Sequence, residues 1–153
     1  MQMIAIILFM VAFPIVSIGI DVGTAGTPII IALGKWFVFW GVGWRLATAA
    51  IRQAMNPLFT AKAIFEIEDP RASKLVLEIA FGNFALGATS IASLYFPAWV
   101  PATAMAGAIF YGLAGFQHIK NKATTSAEIA AMVSDLGIAV ILAIYLALLA
   151  IAD

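Results

Sequence analysis

The sequence predicts an all-α polytopic transmembrane helix bundle of about five spans, a four-helix core plus one, forming a single domain over residues 1–153. Three observations predict it. Hydrophobic residues make up 64% of the chain and charged residues 10%, against about 25% charged in an average soluble domain. Mean hydropathy is +1.07, and a soluble chain this short has too little interior to hide so much apolar surface. Third, five separate windows each reach the roughly 20 mostly apolar residues that a spanning helix needs. The expected partner of this surface is the lipid bilayer.

The first window runs from about Met1 to Ile20, with Pro14 as a kink. No basic stretch precedes it and no clear small-x-small cleavage site closes it, so it reads as a retained helix rather than a signal peptide. A Gly/Thr/Pro loop is expected from Asp21 to Pro28, and a second span from about Ile30 to Arg52. The apolar stretch Leu58 to Ile67 is too short to cross; it reads as an interfacial or re-entrant helix, ended by Glu68-Asp69-Pro70. Lys74 to Leu94 is the third span. The aromatic turn Tyr95–Pro101 leads into the fourth, Trp99 to His118, with Pro101 suited to its first turn. A polar link, Lys120 to Ser126, precedes the fifth span, Ala127 to Ala152, which Ser126 and Glu128 are placed to open.

Orientation follows from the positive charges. With five spans, the N-terminus and the second–third and fourth–fifth connections share one side, which carries Arg52, Lys62, Arg71, Lys74, Lys120 and Lys122. The other side has Lys35, with Asp21 and Asp153. The expectation is an inner-membrane protein of a bacterium, N-terminus cytoplasmic and C-terminus outside.

The composition also excludes. Eight Lys+Arg balance eight Asp+Glu, so net charge makes no case for nucleic acid. The absence of cysteine rules out disulfides, thiolate metal sites, iron–sulfur clusters and covalent haem attachment. His118 is the single histidine, so no metal site can draw two imidazoles from one chain. No nucleophile motif, phosphate loop or metal-ligand spacing is present. No catalytic residue, metal or cofactor is assigned, and an enzyme is the least supported class.

Charges inside a spanning helix cost about 2.5–3.5 kcal/mol each near the bilayer centre on insertion scales. The chain nevertheless places Arg45 in the second span, Glu78 and Asn83 in the third, His118 at the end of the fourth and Asp135 in the fifth. At 1.5 Å per residue, Arg45 and Asp135 each lie roughly 10 Å above the cytoplasmic helix ends, Glu78 about 6 Å and Asn83 about 13 Å. All five thus fall in the cytoplasmic half, where they form one candidate ligand- or proton-binding cluster. Helix faces agree. In the fifth span Asp135 sits in the row Ala127, Ala131, Asp135, Ala139, Ala143, Ala147, and the fourth carries Ala104, Ala108 and Gly112 at the same spacing. Such small-residue stripes let helices approach closely. In the second span Gly41, Arg45, Thr48 and Arg52 share a side, while Trp36, Trp40 and Trp44 are displaced from it toward lipid.

Two readings of the cluster stay open. It is an ion pair that locks the bundle, Arg45 with Glu78 or Asp135 and Asn83 bridging helices. Or the excess carboxylate, two acids against one Arg with a titratable imidazole nearby, exchanges a proton or holds a cationic or polar ligand.

Glu78-x4-Asn83-x3-Gly87, Gly115-x2-His118-Ile119, Asp135, Gly41/Gly43 before Arg45, and Asn56-Pro57 together resemble an uncharacterised family of small bacterial membrane proteins, one akin to the DoxX-like four-helix superfamily. The resemblance covers roughly residues 35–145. It implies a four-helix core with an added helix and brings no established activity. The leading functional expectation is a membrane protein that binds or moves a small molecule or a proton at Arg45, Glu78, Asn83, His118 and Asp135. The alternative is a non-catalytic accessory subunit, meeting further copies of itself or a larger membrane complex through its Ala/Gly stripes.

Overall fold

The computed structural model describes residues 2–65 and 67–152. Met1 at the start of the first span, Glu66 within the Leu58–Ile67 segment and the C-terminal Asp153 lie outside them. Five helices are long and apolar enough to cross a membrane: Met3–Ala25, Ile29–Met55, Ala72–Ala92, Pro97–Lys120 and Glu128–Ala152. The protein is an all-α bundle of membrane-spanning helices.

Helix α1 comprises Gln2–Ile7, a π-helical turn at Leu8–Ala12 and Phe13–Ala25. The cause of the wide turn is Pro14, whose ring cannot donate a hydrogen bond and crowds the carbonyl four residues back. The helix absorbs it by adding a residue to the preceding turn, so the Phe13 N–H reaches the Leu8 carbonyl. The helix then runs past the expected boundary at Ile20. It stops at Gly26, whose φ of +66° is the left-handed terminus that glycine adopts without strain. The expected Asp21–Pro28 loop therefore shrinks to Gly26, Thr27 and Pro28, and Asp21 becomes a buried residue of α1.

Helix α2 is the central element: Ile29–Trp36, a π-helical stretch Phe37–Trp44, then Arg45–Met55. Its Trp36 indole donates to Asp21 Oδ2 at 2.8 Å and its Trp40 indole to Ser17 Oγ at 3.0 Å. Trp40 also packs on Phe13 and Phe9, with ring centroids 4.8 and 6.2 Å apart. The tryptophan row expected to meet lipid thus turns mainly to α1. An indole N–H away from water needs an acceptor, and Asp21 and Ser17 provide two. Trp44 keeps 38% exposure.

Helix α3, Pro57–Phe65, is the expected short element between the second and third spans. At about 1.5 Å per residue its nine residues are too short to cross. Pro57 opens it where a missing N–H costs nothing. Ala61 packs with Ala72 and Val76 of α4, Ala72–Ala92. In the connecting turn the Arg71 guanidinium and backbone N–H both bond Asp69 and hold its carboxyl below the usual carboxylate range. That contribution exists above the ordinary carboxylate pKa and is lost as pH falls through the lowered value.

A short 3₁₀ turn, Pro97–Trp99, leads into α5, Val100–Lys120, with Pro101 in its first turn as expected. Tyr95, Phe96 and Trp99 are exposed there, and Phe96 stacks on Trp99 at 4.8 Å. Amphipathic rings favour this level of a bilayer. Helix α6 is Ser126–Ala152. Its cap is Thr125 and not Ser126: Thr125 Oγ1 accepts the Glu128 N–H at 3.2 Å while Glu128 Oε2 accepts the Thr125 N–H at 2.9 Å. This reciprocal pair is a capping box. Thr125→Ala is expected to cost about 1 kcal/mol locally, seen as faster amide exchange in the first turn of α6 and unchanged exchange in α2.

The interior lies around α2, where Val38, Val42 and Leu46 meet Ala104 and Tyr111 of α5 and Ile138, Leu142 and Tyr145 of α6. The Ala/Gly stripes of α5 and α6 meet each other: a Cβ on Gly112 would sit 3.8 Å from Ala139 Cβ, and one on Gly115 only 2.6 Å from Leu136 Cγ. Ala131 is buried, whereas Ala143 and Ala147 face outward.

Candidate functional site

The close approach of α5 and α6 at Gly115 brings His118 beside Asp135. Asp135 Oδ2 lies 3.9 Å from His118 Nε2, an ion-pair distance too long for a hydrogen bond. The Asp135 side chain is 10% exposed and that of His118 35%, so the carboxylate is interior and the imidazole reaches the surface. Asp135 is positioned by its own row on α6, between Ala131 and the core residues Ile138 and Leu142.

The third member comes from α2. Arg45 follows the π-helical stretch, and its backbone N–H bonds the Trp40 carbonyl five residues back. Arg45 and His118 are the basic side chains that lie near Asp135. Among the described residues Arg45 forms no ion pair within 4.0 Å, and its Nε is buried with no hydrogen-bond partner. A buried donor left unpaired is uncommon in folded proteins and calls for a reason.

Tyr111 is the fourth member, and the sequence reading missed it. It lies two turns before His118 on the same side of α5, at the i, i+4, i+7 spacing Tyr111, Gly115, His118. That spacing was the available signal. Its hydroxyl donates to the Gly41 carbonyl at 2.8 Å in a fully buried bond, which ties α5 to the π-helical stretch of α2. The fields of both Arg45 and Asp135 reach this phenol.

The other two expected members lie elsewhere. Asn83 is buried, but its Nδ2 donates to Gln53 Oε1 at 2.9 Å, so it bridges α4 and α2. Glu78 is exposed on the outer face of α4, forms no ion pair among the described residues, and has beside it Gly82, which nothing approaches within 4 Å. The expected face Gly41, Arg45, Thr48, Arg52 is broken as well: Gly41 is buried and Arg52 is exposed. Each π-helical turn adds a residue and rotates everything after it relative to a uniform helix.

A further polar group, unread in the sequence, lies at the opposite end of the bundle. Asp21 accepts from Lys35 Nζ at 2.9 Å, Trp36 Nε1 at 2.8 Å and Thr27 Oγ1 at 2.9 Å. All of its partners are internal, so it clamps α1 to α2. Among the described residues no three His, Asp or Glu side chains converge as a metal-ligand set.

Chemically, the Arg45–Tyr111–His118–Asp135 group joins a carboxylate and an imidazole able to pass a proton to a guanidinium with an unused donor. Compared with known proteins, the chain matches no family model, no curated protein and no solved structure.

Proposed function

We propose that this integral membrane protein takes up a proton, or a small polar solute that carries one, at Asp135, with His118 as the connection to the surface and Arg45 as the electrostatic partner. The observation that carries this reading is the unused pair: Asp135 is interior with His118 at 3.9 Å, while the buried Nε of Arg45 has no partner. A group built only to lock the bundle would close this gap with direct, charge-assisted hydrogen bonds. An open gap suits a carboxylate that must exchange its proton or a solute that bridges the two. The excess of basic residues around α3 and the α5–α6 link supports the cytoplasmic side for the His118 end, in a bacterial inner membrane. The likeness to the DoxX-like superfamily belongs to the same proposal, through His118 and Asp135.

The test is reconstitution into liposomes loaded with a pH-sensitive dye, followed by an external acid pulse. The parent is expected to equilibrate pH faster than protein-free vesicles, and Asp135→Asn to fall to their rate. Native mass spectrometry of the gently extracted protein covers the solute arm. Equal flux in parent, variant and empty vesicles, with no bound mass, would overturn the proposal.

One observation favours a second reading, an accessory subunit of a membrane complex. Glu78, Gly82, Ala85 and Thr89 lie exposed along α4 at near-heptad spacing, and an ionisable group at membrane depth ordinarily faces a partner or water. The contact face in that reading is α4. The α5 stripe and the part of the α6 stripe from Ala131 to Ala139 are used within the chain, while Ala143 and Ala147 stay exposed.

A further inference from the structure

At the end of the bundle opposite His118 lies a cavity of about 400 Å³ between the start of α2, the α4–α5 turn and the end of α6. Its walls are mostly apolar, among them Ile31, Leu94, Val100 and Leu149. Four polar side chains line it, Thr27, Lys35, Ser93 and Tyr145, and the Ser93 hydroxyl is already used, donating to the Ser90 carbonyl at 2.7 Å. The volume is within the range of roughly 300–1,000 Å³ typical of small-molecule sites, where a few polar groups orient a largely apolar ligand.

The polar groups differ in what they have left to offer. Thr27 Oγ1 and Lys35 Nζ both donate to Asp21, at 2.9 Å each, so the Lys35 charge is already balanced. Tyr145 is different. The residue is buried, only 3% exposed; among the described residues its hydroxyl makes no hydrogen bond and is not a sealed, unpaired atom, so it opens into the cavity it lines. Its ring is seated over Gly34, where any side chain would collide: a Cβ there would lie within 2.3 Å of the ring. Gly34 therefore makes room for the Tyr145 ring, and the phenol keeps a free O–H that can donate to a ligand in the cavity. A charged head is disfavoured, because the one charged side chain in the cavity wall, Lys35, is already neutralised by Asp21 at 2.9 Å and a cation would meet Lys35 directly.

We infer that this cavity is a binding site for a neutral amphiphile, an apolar chain ending in one hydroxyl or carbonyl oxygen that accepts a hydrogen bond from Tyr145. The molecule enters at the level of Tyr95 and Trp99, where the α4–α5 turn meets the bilayer edge. Two sources supply this chemistry, a neutral glyceride of the membrane and a free lipophilic alcohol. The site is separate from Asp135, which lies ten residues, roughly 15 Å, earlier along α6, so either can fail without the other.

The experiment is native mass spectrometry of the whole protein in detergent, titrated with 1-decanol, monooleoylglycerol and decanoate. The expected result is saturable binding of a neutral probe and at least about tenfold weaker binding of decanoate, from the uncompensated charge. Tyr145→Phe keeps the ring over Gly34 and should weaken binding about fivefold, the worth of one ordinary hydrogen bond. Ala98→Trp, at the exposed mouth, should block it without touching the core. Preference for monooleoylglycerol identifies a membrane lipid as the source and preference for decanol a free alcohol; both support the site. Binding that is equal in parent, Tyr145→Phe and Ala98→Trp, absent for all probes, or as strong for decanoate would overturn it.

Discussion

Gly87→Ala is expected to destabilise the folded protein by about 3 kcal/mol, the upper end of ordinary overpacking. The added Cβ would lie 2.7 Å from the backbone nitrogen of Ala47 and 3.0 Å from the Gly43 carbonyl. Both obstacles are backbone, so no side-chain rotation relieves them. Gly43 mirrors this from α2, where a Cβ would meet Ile91 at 2.9 Å and the Ile91 backbone nitrogen at 3.1 Å. The two helices thus touch main chain to main chain, which is how helices associate when lipid removes most of the hydrophobic drive between them. Gly82 is the control. It lies five residues earlier on the same helix, nothing approaches it within 4 Å, and Gly82→Ala should be neutral or stabilising by up to about 1 kcal/mol. Denaturant unfolding of both variants in mild detergent makes the comparison. Equal midpoints would mean that α2 and α4 do not pack at Gly43 and Gly87.

The second large effect is at Asp135. Asp135→Leu should cost about 2 kcal/mol, because it removes an interior carboxylate near the Arg45 guanidinium, whose Nε is already buried without a partner. Adding Arg45→Met should restore more than half of that, since it removes the positive charge that Asp135 no longer offsets. The double variant then separates stability from activity. If the group serves proton or solute uptake, the double variant is stable and inert in liposomes. If it only secures the bundle, the double variant behaves as the parent. A double variant no more stable than Asp135→Leu would show that Arg45 and Asp135 do not share an interior.

Much of the architecture is legible without a structure, because membrane insertion is read from local composition. The five windows coincide with the five spans within a few residues. The short third helix and the Pro101 start of α5 follow from lengths and proline chemistry that act over one turn. The capping box was half-read: Glu128 was recognised, but its partner is Thr125, one residue earlier than expected.

What composition could not decide is which polar residues meet. His118 and Asp135 meet at 3.9 Å with Arg45 nearby, while Glu78 and Asn83, in the same half of the bilayer, do not join them. Depth depends on residue count alone, and a helical rise is nearly constant. Direction depends on rotation summed from the start of the helix, and the π-helical turns at Leu8–Ala12 and Phe37–Trp44 change that sum. Packing against α1, through the indole bonds of Trp36 to Asp21 and of Trp40 to Ser17, drew these tryptophans from lipid, and it buried Asp21, whose three partners lie 6, 14 and 15 residues away. The sequence by itself determined where this protein resides, how often it crosses and how its helices begin, because each depends on neighbours along the chain. Only the tertiary structure decided that Tyr111 bonds Gly41 of α2, that His118 meets Asp135 and that Glu78 faces outward, because those placements depend on helix rotation and packing across the bundle.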